Sequence, residues 1–96
     1  MTQSRVERRL SDVANRLKRF RADLDVAEEQ CLHFEDLAED ARLRALVSET
    51  PAAERQHRDA ARQAETMARH RARLQEKIRS LEEEQDDLLD RFYSDV

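Results

Sequence analysis

Val47-Ser48-Glu49-Thr50-Pro51-Ala52 decides the fold, because it holds the only proline of a 96-residue chain that contains no glycine. Proline disfavours helical geometry for the residue before it and suits a first helical position, where its missing N–H would be unpaired anyway. Thr50 is thereby pushed into the extended conformation that an N-cap needs. The stretch predicts one helix over about 4–47, a turn at 48–50 and a second helix over about 51–94.

Working outward on the N-terminal side, Ser4 and Glu7 have the spacing of a capping box. From there a 4-3 repeat runs through Val6, Leu10, Val13, Leu17, Phe20, Leu24, Ala27, Cys31, Phe34, Ala38, Ala41 and Ala45. After Pro51 the same spacing gives Ala53, His57, Ala60, Ala64, Met67, Arg71, Leu74, Ile78, Leu81, Gln85, Leu88 and Phe92. Such a repeat is the signature of a coiled-coil seam. Folding the chain at residue 49 brings the two series into layers whose numbers sum to 98, from Ala45 with Ala53 to Val6 with Phe92. Three layers carry a polar residue, His57, Arg71 or Gln85, and polar seam positions set register at a cost in stability.

Charge favours the same antiparallel pairing. Residues 1–22 hold seven basic and two acidic side chains, and residues 23–40 hold eight acidic and none basic. Residues 51–73 are mainly basic and 74–96 mainly acidic. Arg16 with Glu84, Asp23 with Lys77 and Arg42 with Glu54 are the expected flanking pairs, each worth about 0.2 to 1 kcal/mol. The expected fold is all-α, an antiparallel two-helix coiled-coil hairpin that pairs into a four-helix bundle as a homodimer. The same register would be met by two straightened chains lying antiparallel across residue 49, but Thr50-Pro51 is a good cap and a poor helix interior.

Composition limits the function classes. Charged residues make up 42% of the chain and aromatic residues 4%, which belongs to long helices and leaves no thick globular core. The net charge of -4 gives no bulk attraction for nucleic acid, so nucleic acid is not the expected partner. No apolar run reaches the length of a membrane span and no secretory h-region opens the sequence, which leads to the expectation of a cytoplasmic protein. A single cysteine agrees with a reducing compartment. Lysine occurs only at Lys18 and Lys77 against many arginines and alanines, a usage that hints at a GC-rich, bacterial genome.

No catalytic constellation can be assembled, so no enzyme, cofactor or metal is expected. His33, His57 and His70 do not face one another or Cys31 in the 98 register, and Cys31 is expected as an inert thiol facing Met67. The acidic run Glu82-Glu83-Glu84 with Asp86 and Asp87 lies on a helix and lacks the glycine of a calcium loop.

Apolar residues outside the seam are the candidate binding site. Leu32, Leu43, Leu46 and Val47 fall at outward positions within sixteen residues, with Leu37 at the edge. Ala61, Ala68, Leu89 and Val96 widen the stripe of the second helix, and Tyr93 lies outside it. The expected function is protein–protein interaction: an adaptor or regulator that docks a partner, itself or another protein, through the patch near the turn. The alternative is a transcription-linked regulator, contacting a sigma factor, RNA polymerase or a nucleotide second messenger through an arginine stripe at Arg55, Arg62 and Arg69. Known helical-hairpin families are not matched. Anti-sigma hairpins that bind cyclic di-GMP need an arginine where Ala14 follows Glu7 and Ser11, and where Glu83 follows Glu76 and Ser80.

Overall fold

The computed structural model describes residues 4–94 and contains two long helices and, among the described residues, no strand. α1 spans Arg5–Ser48 and α2 spans Pro51–Ser94. Both starts are capped by side chains. Ser4 Oγ accepts the Glu7 amide at 3.1 Å while the Ser4 carbonyl accepts the Arg8 amide at 3.0 Å. Thr50 Oγ1 accepts the Ala53 amide at 3.1 Å, and its carbonyl opens the helical ladder by accepting the Glu54 amide. These are N-cap geometries, which satisfy amides that have no partner inside the helix.

The end of α1 uses a device not anticipated in the sequence. Glu49 takes a left-handed conformation, φ 52°, and donates its amide to the Ala45 carbonyl at 3.1 Å. That is the single-bond left-handed helix stop, a place normally given to glycine. A residue with a Cβ costs about 1 to 2 kcal/mol there. Glu49→Gly is therefore expected to raise the unfolding free energy by about 0.5 to 1 kcal/mol, once the extra freedom of glycine in the unfolded chain is subtracted. Glu49→Val should lower it. Guanidinium melts with coincident midpoints for the two variants would contradict the left-handed turn.

Along α1 every position of the 4-3 repeat is buried or half-buried, and every other residue of the helix is exposed. Along α2 all repeat positions are likewise covered, with Ala61, Ala68, His70, Glu84 and Leu89 half-buried beside them. The helices divide into two compact units, Met1–Leu24 with Leu74–Val96, here the terminal unit, and Asp25–Arg73, the turn unit.

In the terminal unit Val13, Leu17, Ile78, Leu81 and Leu88 form a buried cluster, with Val6, Leu10, Phe20 and Leu24 packed against it. Among the described residues two ion pairs cross from α1 to α2 in this unit: Arg9 with Glu84 at 2.6 Å and Arg21 with Glu82 at 3.2 Å. The expected pairs Arg16 with Glu84 and Asp23 with Lys77 do not form. Glu84 takes Arg9 instead, and the Lys77 ammonium lies over the Phe20 ring, 5.4 Å from its centre. In an antiparallel pair each flanking side chain sits between two opposite positions one heptad apart, so Glu84 can reach Arg9 or Arg16. Lys77 gains more by covering the half-buried ring than by a fully solvated pair.

The turn unit is filled with smaller side chains. Ala27, Cys31, Ala41, Ala45 and Ala53 are buried, whereas Phe34, Ala38, His57, Ala60, Ala64, Met67 and Arg71 are only half-buried. Among the described residues no ion pair crosses between the helices in this unit. The expected pair of Arg42 with Glu54 is replaced by Arg42 with Glu39 on its own helix, at 2.6 Å. A neighbour three residues away needs no reach across the seam and wins the guanidinium.

Candidate functional site

Among the described residues the large exposed apolar side chains are Val26, Leu32, Leu37, Leu43, Leu46, Val47 and Tyr93, and all but Tyr93 belong to α1 within the turn unit. Leu32, Leu46 and Val47 are 64%, 62% and 86% exposed, values far above those of seam residues. Leu43 is 48% exposed on the same side of the helix. Eleven residues separate Leu32 from Leu43, about three turns of helix, so they lie in line. Leu46 and Val47 follow one turn further and flank that line. Val96, expected at the edge of the second helix, lies outside the described residues. Leu89 is half-buried in the terminal unit, and Tyr93 is exposed with its ring edge-on to Phe92 at 5.5 Å.

The outward face of α1 has an unusual composition. Across an arc of about 140°, at about 100° per residue, residues 25–47 present only Leu32, Leu43, Leu46, Val47 and carboxylates. Arg42 stands just outside the arc and binds Glu39 through two hydrogen bonds, at 2.9 and 2.6 Å. That bidentate contact is the main reason the Glu39 carboxyl titrates below its usual range; the Arg42 charge and the nearby His57 act in the same direction. The Arg42 guanidinium is correspondingly held more firmly protonated by Glu39. A depressed carboxyl contributes stability above its unfolded pKa and loses it as the pH falls through the folded value. Carbon-13 titration of the side-chain carboxyl is expected to show Glu39 below the ordinary glutamates, and Arg42→Gln should return it toward them. An unchanged titration in Arg42→Gln would assign the shift elsewhere.

No protein-family model matches this chain, and no curated protein or solved structure matches it either.

The arginine stripe lies on the outward face of α2 in the same unit. Arg55, Arg62 and Arg69 are exposed, and intrahelical carboxylates lie beside two of them: Asp59 at 3.7 Å from Arg62 and Glu65 at 3.9 Å from Arg69. Arg62 also lines an open groove of about 500 Å³ with Phe34, Asp59, Gln63, Thr66 and Met67. A second groove, in the terminal unit, is lined by Arg16, Phe20, Lys77, Ser80, Leu81 and Glu84.

The polar seam residues His57, Arg71 and Gln85 are half-buried, and among the described residues no polar side chain is fully buried or left with an orphaned buried atom. Their stems cover the seam while their polar ends reach solvent. Cys31 is buried and unpaired, and His33 packs edge-on against Phe34 at 5.5 Å. Among the described residues no group of three or more His, Cys, Asp or Glu side chains is arranged to hold a metal ion, and no helix is long and apolar enough to cross a membrane.

Proposed function

We propose that the protein is a non-enzymatic coiled-coil interaction module of the bacterial cytoplasm, a small adaptor or regulator that docks another protein through Leu32, Leu43, Leu46 and Val47. Two hairpins pair as a homodimer in a four-helix bundle, for which the half-buried Ala61 and Ala68 of α2 allow close helix approach. The observation that carries the reading is the concentration of exposed large apolar residues on α1 of the turn unit. Scattered surface leucines are ordinary, but a row of them on one helix face is a docking surface in a chain this polar.

The test joins three measurements on one set of proteins. Light scattering should give twice the 11.4 kDa chain mass. A photo-crosslinker placed at Val47 in the native host should yield a discrete heterologous adduct. The double variant Leu43→Asp/Leu46→Asp should lose that adduct while its helical circular dichroism stays within about a tenth of the parent, since charge on an exposed face costs little stability. An adduct that survives the double variant would end the proposal.

A second reading, the transcription-linked regulator that contacts phosphate or nucleotide through Arg55, Arg62 and Arg69, is supported by the shared groove of Arg62, Phe34 and Met67. It ranks below the first because Asp59 and Glu65 already answer two of the three guanidinium charges.

A further inference from the structure

The composition of the α1 outward face says what kind of partner fits it. Between residues 25 and 47 the arc centred on Leu32 and Leu43 carries aliphatic side chains, Asp and Glu, and no cation. Among the described residues only one carboxylate on that arc, Glu39, has an ion pair. The others, among them Glu28, Glu35, Asp36 and Asp40, repel one another around an apolar line. In the terminal unit two ion pairs join the helices, Arg9 with Glu84 and Arg21 with Glu82. In the turn unit, among the described residues, no ion pair from α2 reaches the α1 carboxylates, and only Glu39 is answered, from its own helix.

We infer that the occupant of this face is a basic amphipathic helix of another protein, with an apolar stripe to meet Leu32, Leu43, Leu46 and Val47 and with Lys or Arg on both flanks. Resting on the docking reading above, this assigns the partner's chemistry. A helix laid along α1 buries the leucine line by its own i, i+3, i+4 and i+11 apolar positions, and its flanking cations meet the carboxylates on either side. An acidic helix would place like charges together, and a neutral one would leave the carboxylates desolvated without partners. A second copy of this chain fits less well. A two-fold axis through this face sets α1 against α1, acid against acid. Bringing the arginine face of α2 onto it instead makes a head-to-tail contact, whose repetition does not close into a dimer.

The experiment uses the full chain and three labelled synthetic helices of about 18 residues. One has leucines on a single face with lysine and arginine elsewhere, one has the same leucines with glutamate in place of every cation, and one has the basic composition scrambled. Fluorescence anisotropy is read at about 50 and about 300 mM salt. The basic amphipathic helix should bind at least ten times more tightly than either control. Its affinity should fall roughly tenfold or more in Leu43→Ser/Leu46→Ser, and similarly in Glu35→Gln/Asp36→Asn/Asp40→Asn. Equal binding of the scrambled peptide, insensitive to the leucines, would reduce the effect to bulk charge attraction and overturn the inference. Tight binding of the acidic peptide that still depends on Leu43 and Leu46 would overturn the partner's charge while leaving the docking face intact. No binding of any peptide, with Leu43→Ser/Leu46→Ser converting a dimer to a monomer, would make the occupant a second copy and overturn the inference as well.

Discussion

Leu17→Ala is expected to lower the unfolding free energy by about 3 kcal/mol, within the range for deleting a buried leucine side chain. Leu17 is 1% exposed and stands in the cluster of Val13, Ile78, Leu81 and Leu88. Two helices surround the site, and neither can move inward without dragging the adjoining layers. The cavity therefore stays largely open, and the loss includes both the transfer of the side chain and the contacts missing around the void. Leu46→Ala removes the same atoms from a position 62% exposed and should cost no more than about 0.5 kcal/mol. Guanidinium melts at one fixed protein concentration compare the two, since any self-association adds a concentration term. Similar midpoints for the two variants would mean that the terminal unit is not the stabilising core.

Arg71→Leu is expected to act in the opposite direction and raise the unfolding free energy by about 1 kcal/mol, a part of the 1.5 to 3 kcal/mol that full burial of such a side chain brings. Leucine and arginine have similar helix propensity, so the change reads the seam and not the helix. Arg71 is half-buried and, within the described residues, holds no ion pair. Arg69→Gln, two residues away on the outward face, should stay within about 0.5 kcal/mol of the parent. The gain at residue 71 should come with looser choice of partner and register, because a polar seam residue penalises every alignment in which it cannot reach water. A destabilised Arg71→Leu would show that the guanidinium is held by something beyond the seam.

These two effects also mark what the sequence makes legible. The positions that are covered, fully at Leu17 and partly at Arg71, follow from the 4-3 spacing alone, because a helix of 3.6 residues per turn has only one stripe that can face a neighbour. The caps at Ser4 and Thr50 were legible for the same reason, since few residue types can accept an end amide. Glu49 was not, because the residues that signal a left-handed turn are glycine and, less often, asparagine or aspartate, and glutamate is none of these. The ion pairs were not legible either. Arg9, Arg21 and Arg42 each had more than one carboxylate within reach, and differences of a few tenths of a kcal/mol chose between them. The outward leucines could be placed on a face from spacing, but spacing within one chain carries no signal for what would cover them.

The single cysteine gives the turn unit a built-in clock. Cys31 is 1% exposed, in the unit whose other seam positions are mostly alanine or half-covered. A thiol reagent can reach its Sγ only when this stretch of α1 lifts from α2, so the labelling rate counts openings of that unit, and the thiol-free terminal unit is silent. A helix that lands on Leu32 and Leu43 slows this rate to the extent that it binds the closed unit more tightly than the opened one. Its arrival would be heard as a slower clock, at a sulfur it never touches.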